Sequence, residues 1–420
     1  MPAGVAVVRI SGPNALPALR LLTSMELPAP RQAVLRTIVS QDGLVLDQAL
    51  VLVFPGPRSF TGEDCVELQL HGSRAVVDAV MKELAKIAGL RPAEAGEFSR
   101  RAFENGRIDL VEAEGLSELI AAETEMQRRL AVEQSFGGQS ELYNDWARRL
   151  THARAMIEAD LDFSDEEDVP GSVADSATAP LLEFQEELRA HVANARAGEI
   201  IRDGYRIAIV GPPNVGKSSL LNALADRDVA IVTEIAGTTR DVLQVDLDID
   251  GYLVRLFDTA GLRESSDVVE QEGIRRAHDA MAKADLILLL DEIDSEPEHP
   301  AFPEGKEVLH VGSKLDLHGR SSAHDLCISV RSGEGLDTLR DAIRQRVSGL
   351  WSGFTAPNRK RQLDLLGEAS NFLEEALNAA QPELRAEHLR AAAVSLGKIT
   401  GAVDVEQLLD VIFSQFCIGK

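Results

Sequence analysis

The sequence predicts a protein of several domains that combines α/β and all-α architecture. Strand patterns mixed with a helix occupy the first 90 residues, helical periodicity dominates residues 97–197 and 358–416, and short apolar strands alternate with helices between residues 204 and 350. The alternation in the last block is typical of a doubly wound sheet. Because helical patterns flank that block on both sides, we expect it to be inserted into one discontinuous helical domain.

The composition excludes several classes of protein. The chain has 420 residues, of which 45% are hydrophobic and 4% aromatic, so it is long enough for two or three folded domains with aliphatic cores. No apolar run approaches the roughly 18 residues of a membrane span, and residues 1–4 lack the charged start of a signal peptide. The three cysteines, Cys65, Cys327 and Cys417, are too widely spaced to indicate a disulfide framework or a zinc cluster. We therefore expect a cytoplasmic protein with no membrane association.

The charge balance of 43 basic against 68 acidic residues gives a net charge of −25. Such a surface repels phosphate backbones, which argues against independent, tight binding of nucleic acid. If RNA is a substrate, we expect a basic partner to supply much of the binding.

The N-terminal block reads as strands 5–10 and 66–71, a hairpin across Asp42-Gly43 between residues 37–39 and 44–54, and an amphipathic helix over residues 75–87. The alternation in the strand at 66–71 places three polar side chains on one face: Glu67, Gln69 and His71.

Helical spacing of apolar residues covers residues 110–130, 142–161 and 179–197, with Gly137-Gly138 as a break. Acidic side chains cluster near the end of the second stretch. The cluster consists of Glu158, Asp160, Asp162, Asp165, Glu166, Glu167 and Asp168. These side chains could hold a metal ion, although a solvated helix end and loop is the favoured interpretation.

Residues 211–218 match the pattern G-x-x-x-x-G-K-[ST] between an apolar strand at 207–210 and a helical segment at 219–225. Its glycines let backbone N–H groups face phosphates at a helix N-terminus. Lys217 can reach the β- and γ-phosphates of a nucleotide, and the Ser218 hydroxyl can bind Mg²⁺. A chance glycine-rich loop is the alternative, and the motifs that follow argue against it.

Three further segments complete a guanine nucleotide site. Thr238-Thr239 lies in a polar loop suited to the Mg²⁺ shell and the γ-phosphate, and residues 258–261, Asp-Thr-Ala-Gly, follow a strand. Asp316, in Ser-Lys-Leu-Asp, can accept two hydrogen bonds from guanine that adenine cannot offer. Residues 329–331, Ser-Val-Arg, stand where a backbone amide can contact the guanine O6. These motifs predict GTP binding.

Two positions are atypical for a GTPase. Leu262 occupies the place of the usual water-orienting glutamine, so hydrolysis needs another polar group to orient the water. The acidic candidates downstream are Glu264, Asp267 and Glu270. Ser313 replaces the usual asparagine of N-K-x-D, which predicts weaker nucleotide affinity with guanine preference retained.

Motifs along nearly the whole chain resemble the MnmE (TrmE) family of tRNA-modification GTPases. They comprise residues 8–12 (VRISG), 59–64 (SFTGED), 96–98 (GEF), 101–106 (RAFENG), 157–163 (IEADLDF), 235–241 (IAGTTRD), 258–264 (DTAGLRE) and 417–420 (CIGK). The P-loop is common to many GTPases, whereas the C-x-G-K terminus together with the N-terminal motifs is specific to this family.

The resemblance implies four segments: a dimerising, formyl-tetrahydrofolate-binding α/β domain (1–105), the first part of a helical domain (106–200), a GTPase domain (201–353) and the second helical part (354–420). It implies a homodimer that forms a heterotetramer with the FAD-dependent protein MnmG. That complex binds tRNA and installs an aminomethyl or carboxymethylaminomethyl group at C5 of the wobble uridine, from 5-formyltetrahydrofolate or methylenetetrahydrofolate. In the family a further strand and a Gly-rich turn precede residues 8–9, so we expect the start of this sequence to be either truncated or misassigned.

Residue roles also follow from the resemblance. Mg²⁺ is held by Ser218 and Thr239, and K⁺ by Asn214, Thr233, Ile235 and Thr238. Glu270 positions the attacking water and acts with Lys217 in catalysis. Folate contacts fall on Arg9, Glu67, Arg107 and Lys420, and Arg107 replaces a lysine that is frequent in the family. GTP contacts fall on Asn214, Val215, Gly216, Lys217, Ser218, Ser219, Thr233, Glu234, Ile235, Ala236, Gly237, Thr238, Thr239, Asp258, Thr259, Ala260, Gly261, Lys314, Asp316, Ser329, Val330 and Arg331.

Two other functions remain open from the sequence. A ribosome-assembly GTPase would have a similar GTPase domain but carries a basic RNA-binding module, whereas the flanks here are acidic and helical. A structural helical protein with a vestigial GTPase domain disagrees with the intact Lys217, Ser218, Asp258 and Asp316. For Cys417, a docked tail is favoured over a nucleophile.

Overall fold

The computed structural model describes residues 3–162, 178–227, 229–230, 243–258, 278–295, 302–349, 355–403, 406–414 and 416. The chain forms two compact units. The first comprises Met1–Ser117, Ser140–Ala147 and Leu396–Lys420, and the second comprises Glu118–Gln139 and Arg148–Ser395. Within the described ranges, no helix combines the length and apolar character needed to cross a membrane.

The first unit contains a four-stranded antiparallel sheet in the order β1-β4-β3-β2. Its elements are β1 (Ala3–Ser11), α1 (Ala15–Thr23), β2 (Val34–Val39), β3 (Val45–Phe54), β4 (Cys65–Gly72) and α2 (Arg74–Ala85). Leu68 and Leu70 of β4 join a buried core with Leu19 of α1 and Val80 of α2, whereas Glu67, Gln69 and His71 remain partly or fully exposed. The predicted strands, hairpin and alternation are confirmed. Helix α1 was not predicted.

Helices follow, but two of the three predicted helical stretches are interrupted. The elements are α3 (Glu97–Glu104), α4 (Leu110–Ala121), α5 (Glu125–Ser135), α6 (Gly138–Asp162), α7 (Thr178–Ala193) and α8 (Ala195–Asp203). A continuous helix over 110–130 is wrong because Thr124 and Gln127 form a capping box that starts α5. The stretch at 179–197 is divided at Asn194, the N-cap of α8.

The acidic run predicted near residue 160 is only partly visible. Glu158, Asp160 and Asp162 lie at the end of α6, and Asp165, Glu166, Glu167 and Asp168 fall outside the described residues. Among the residues that are described, no group of three histidine, cysteine or acidic side chains could hold a metal ion.

The second unit carries the predicted doubly wound sheet, with seven strands in the order β11-β10-β9-β5-β8-β7-β6. Strand β5 lies at the centre, and its neighbours β8 and β9 run parallel to it. Strand β7 pairs antiparallel with β8, and β6 pairs antiparallel with β7. The elements are β5 (Tyr205–Val210), α9 (Lys217–Arg227), β6 (Val229–Ala230), β7 (Leu243–Ile249), β8 (Tyr252–Asp258), β9 (Leu286–Glu292), β10 (Glu307–Ser313), α10 (Leu315–His318), β11 (Leu326–Cys327) and α11 (Leu336–Ser348).

The predicted C-terminal helical region contains α12 (Lys360–Asn378), α13 (Pro382–Thr400) and α14 (Glu406–Ser414). Helix α12 packs against α7 in the second unit. Helix α14 packs against α3 in the first unit, where the rings of Phe103 and Phe413 lie 6.2 Å apart. The two helical stretches that flank the doubly wound sheet are therefore confirmed as helical.

Candidate functional site

The phosphate-binding loop runs from the end of β5 to the start of α9, as the sequence predicts. Position 211 requires glycine because the loop backbone passes close to β9 there. A Cβ atom on Gly211 would lie 2.1 Å from the carbonyl oxygen of Leu290. Val215 is buried beneath the loop, and Gly216 has a positive φ of 107°. Asn214 is exposed and adopts the left-handed conformation. The loop therefore leads directly from the sheet core into a helix N-terminus, which favours anion binding.

Lys217 and Ser218 open α9 and direct their polar atoms toward the loop and toward β8. Lys217 Nζ donates hydrogen bonds to the carbonyl oxygens of Gly211 (2.8 Å) and Pro212 (2.7 Å). Ser218 Oγ donates to Oδ2 of Asp258 at 2.7 Å, and Asp258 is fully buried at the end of β8. A hydroxyl and a carboxylate side by side are the hard oxygen ligands that Mg²⁺ prefers, so these residues fit the ion.

The predicted guanine-binding residues come together at the carboxyl end of β10. Asp316 Oδ1 accepts a hydrogen bond of 2.6 Å from Ser329 Oγ, and this bond lowers the pKa of Asp316. Lys314 adopts the left-handed conformation, and its Nζ donates to Glu292 Oε2 at 2.5 Å. Ser313 is buried, and its Oγ has no hydrogen-bond partner among the described residues. The Asp316 carboxylate is therefore held in one orientation by Ser329, whereas the Ser313 hydroxyl makes no such bond among the described residues.

The remaining predicted GTPase residues are only partly described. Ser219 is exposed in α9, Val330 is half-buried, and Arg331 is exposed beside Ser329. The other predicted contacts lie outside the described residues: Thr233, Glu234, Ile235, Ala236, Gly237, Thr238, Thr239, Thr259, Ala260, Gly261 and Glu270.

A second group of predicted residues lies on the four-stranded sheet of the first unit. Arg9 donates through Nε and Nη2 to Glu67 Oε1, at 2.9 and 2.8 Å. The Arg9 guanidinium carbon lies 5.4 Å from the ring centroid of Phe60 and 5.6 Å from that of Phe98. Arg9 and Glu67 therefore form one fixed ion pair, and the Arg9 guanidinium also lies near the rings of Phe60 and Phe98.

Arg107 lies elsewhere in the same unit. It is exposed, and its side-chain stem lies beside Gly62. No described contact joins it to Arg9 or Glu67, and Lys420 falls outside the described residues.

A charged network that was not predicted lies beside Arg9. A cavity of about 210 Å³ is lined by Arg9, Arg91, Glu97 and Arg101. Burial would raise the pKa of Glu97, but hydrogen bonds from Arg91, the Glu94 backbone and Arg101 outweigh that effect and lower the pKa to about 2. The motifs G-E-F and R-A-F-E-N-G contain Glu97 and Arg101, so the signal was present without an assigned role.

Comparison with known proteins covers the whole chain. A family model described as the N-terminus of the GTP-binding protein TrmE matches residues 1–107, and one described as the MnmE helical domain matches residues 110–417. The tRNA modification GTPase MnmE of Rhizobium meliloti (strain 1021) is 58% identical over 430 residues, covering 100% of this chain and 97% of the relative. The proteins of that name from Sinorhizobium medicae (strain WSM419) and Agrobacterium fabrum (strain C58 / ATCC 33970) are 58% and 56% identical over 427 residues, with the same coverage of both chains. The chain therefore belongs to the MnmE family of tRNA modification GTPases.

Proposed function

We propose that this chain is a K⁺-dependent GTPase that acts with the FAD-dependent protein MnmG in tRNA modification. The complex forms the 5-carboxymethylaminomethyl or aminomethyl group at C5 of the wobble uridine, with 5-formyltetrahydrofolate or methylenetetrahydrofolate as one-carbon donor. The arrangement of Lys217, Ser218 and Asp258 carries the GTPase part, because it places a cation, a hydroxyl that can bind Mg²⁺ and a neighbouring carboxylate at one helix N-terminus.

GTP binding requires a rearrangement of Lys217. Its ammonium group now bonds two loop carbonyls, and the β- and γ-phosphate oxygens replace them when the nucleotide binds. Ser218 and Thr239 would hold Mg²⁺, which would supply positive charge beside the phosphates, and the carboxylate of Asp258 lies beside Ser218. Glu270 orients the attacking water in place of the glutamine that Leu262 replaces.

The K⁺ site is assigned to Asn214, Thr233, Ile235 and Thr238. The left-handed backbone and exposure of Asn214 support the assignment, because its side chain is not committed to the protein core. A monovalent cation there adds positive charge where other GTPases use an arginine.

The domain organisation is proposed as 1–105, 106–200, 201–353 and 354–420. Close packing of the two junctions supports insertion of the GTPase domain. A Cβ atom on Gly198, before the domain, would lie 2.6 Å from the carbonyl oxygen of Pro357, after it. This close approach supports a GTPase domain whose chain leaves and re-enters the helical region at one place.

The outer face of the four-stranded sheet supports a homodimer. Val7, Leu50 and Leu35 lie in one row across the sheet, through Gln69, and are 57%, 42% and 60% exposed. Exposed apolar side chains that gather on one face of a sheet favour an interface there. We assign this face to a second copy, and we place the protein in the cytoplasm, where MnmG supplies the basic surface for tRNA.

The folate site is assigned to Arg9, Glu67, Arg107 and Lys420. The carboxylate of Glu67 suits the amino edge of a pterin, and the cationic side chains suit the glutamate tail. The fixed Arg9–Glu67 pair supports the first part of this assignment.

GTP hydrolysis by the full chain tests the GTPase proposal. Turnover is measured in KCl and in NaCl at equal ionic strength, with Lys217→Ala as the inactive control. We expect fast hydrolysis only in KCl, and an Asn214→Ala variant should lose the response to K⁺. Equal rates in the two salts would contradict the K⁺ assignment.

A further inference from the structure

The Arg9 guanidinium is held by two aromatic rings that belong to different segments. Phe60 comes from the loop between β3 and β4, and Phe98 comes from α3. The position of Arg9 therefore depends on how that loop is fixed to α3. Cation–π contacts weaken when the cation leaves the ring face, so a small movement of either segment alters the grip on Arg9.

Arg101 of α3 makes the charged connection between the two segments. Its Nη1 donates to Glu63 Oε2 at 2.9 Å, and its Nε and Nη2 donate to Glu97 Oε1 at 3.1 and 2.6 Å. Glu97 lies on the same helix and also accepts two bonds of 2.8 Å from Arg91. Arg101 is thus oriented on α3 by Glu97 and reaches the loop through Glu63.

Strand β1 joins the same network through Ser11, two residues beyond Arg9. Ser11 Oγ donates to Glu63 Oε2 at 3.0 Å and lies 2.7 Å from Thr61 Oγ1. The buried thiol of Cys65 lies 3.1 Å from Thr61 Oγ1 and 3.3 Å from Ser11 Oγ. Glu63 therefore collects bonds from β1 and from α3, which are the elements that carry Arg9 and Phe98.

The loop has little freedom to shift without breaking these contacts. Asn105 Nδ2 donates to the Thr61 carbonyl at 2.7 Å, and a Cβ atom on Gly62 would lie 2.8 Å from Asn105 Cβ. We infer that Arg101 is a positioning residue of the folate site: through Glu63 and Glu97 it fixes the loop to α3, so that Phe60 and Phe98 hold Arg9 in its binding position. The inference rests on the folate site proposed above.

Calorimetric titration of the full chain with 5-formyltetrahydrofolate tests this role. Arg101→Gln should weaken binding at least tenfold, roughly the change expected for one lost charge-assisted hydrogen bond. Arg101→Lys keeps the charge, but a lysine cannot bond both carboxylates as the forked guanidinium does. The folate affinity of Arg101→Lys should therefore lie between that of the parent and that of Arg101→Gln. Glu63→Gln should weaken binding similarly, and the double variant should cost little more than either change alone, because the two residues act as a unit.

The neighbouring Arg100 provides a matched control. It lies on the same helix but bonds Glu104 and Asp410, away from the loop. Arg100→Gln should bind folate as the parent does. Every variant should keep the parent GTP hydrolysis rate, which shows that the GTPase residues of the second unit are intact.

Alkylation of Cys65 measures the position of the loop without any ligand. In the parent, the buried thiol should react slowly with iodoacetamide, with labelling followed by peptide mass spectrometry. Loosening of the loop in Arg101→Gln should accelerate labelling at Cys65 about tenfold, whereas Arg100→Gln should leave it unchanged.

The two readouts separate failure of the inference from failure of the folate assignment. Unchanged folate affinity in Arg101→Gln, with a parent that binds, overturns the positioning role. A parent that binds no folate overturns the folate assignment and the ligand part of the inference. In that case, unchanged Cys65 labelling in Arg101→Gln would also overturn its positional part.

Discussion

Replacing Asp316 by asparagine should change which base the protein binds. In the structure the Asp316 carboxylate is exposed to the site, and one oxygen is already fixed by the 2.6 Å bond from the buried Ser329. The carboxylate can accept the two hydrogen bonds that guanine donates from N1–H and the 2-amino group. The introduced amide offers one acceptor and places an NH₂ group against the guanine amino group.

The size of the effect follows from those bonds. Hydrogen bonds to a charged group contribute about 1.5–3 kcal/mol each. Because Asp316 is exposed, the lower value applies, and the lost bond from the guanine amino group gives about 1.5 kcal/mol, or roughly tenfold weaker GDP binding. The two opposed NH₂ groups should weaken binding further. Xanthine has a carbonyl in place of the amino group, so the same variant should gain affinity for xanthine nucleotides.

Competition against a fluorescent GDP derivative measures both affinities. Asp294→Asn is the matched control, because Asp294 bonds the neighbouring His318 at 2.7 Å and is not assigned to the base. That control should bind GDP as the parent does. If Asp316→Asn bound GDP within about threefold of the parent and still rejected xanthine, the assignment of Asp316 to base recognition would be refuted.

Three further predictions concern other parts of the chain. Glu270→Ala should lower kcat for GTP by about 10²–10⁴ with little change in GTP affinity, because we assign Glu270 to the orientation of the attacking water. An unchanged kcat would mean that backbone groups hold the water instead, and Glu264→Ala serves as the milder control. Deletion of Lys420 should weaken 5-formyltetrahydrofolate binding in calorimetry without altering GTP affinity, and equal folate affinity would make the tail a surface extension. Burial lowers the pKa of His191 to about 4 from its usual value near 6.5. The contribution of the neutral imidazole to the free energy of unfolding is therefore fully present above pH 6.5, and it is lost as the pH falls toward 4. The loss should be roughly 2 kcal/mol at pH 5, and His191→Gln should reduce the fall in thermal midpoint between pH 7 and pH 5; an equal fall in both proteins would contradict the assignment.

The phosphate loop and the N-terminal hairpin could be predicted because short-range rules decide them. Asp42-Gly43 supplies a hairpin turn, and Gly43 has the positive φ of 78° that such a turn requires. The loop from Gly211 to Ser218 is set by the strand before it and the helix after it. In both cases the sequence pattern and the local geometry carry the same information.

The prediction of helix boundaries was wrong where a polar N-cap interrupts an apolar pattern of helical periodicity. The apolar spacing continues across residues 110–130, but the Gln127 side chain accepts the backbone N–H of Thr124 at 3.1 Å and starts a new helix. Strand β7 was missed although Leu243, Val245, Leu247 and Ile249 alternate with polar residues. A period of two over seven residues was the available signal.

The Arg101 network could not be predicted because its members are distant in the sequence. Arg101 and Glu63 are separated by 38 residues, and Ser11 and Glu63 by 52. Motifs identify such residues as a set, but only the packing of α3 against the loop shows which carboxylate each arginine bonds.

Mass spectrometry of tRNA nucleosides from cells that lack this gene tests the central claim most directly. We expect loss of the C5 aminomethyl-type modification of the wobble uridine in the deletion strain. Expression of the parent chain should restore it, whereas expression of Lys217→Ala should not. Unchanged wobble-uridine modification in the deletion strain would contradict the proposed function.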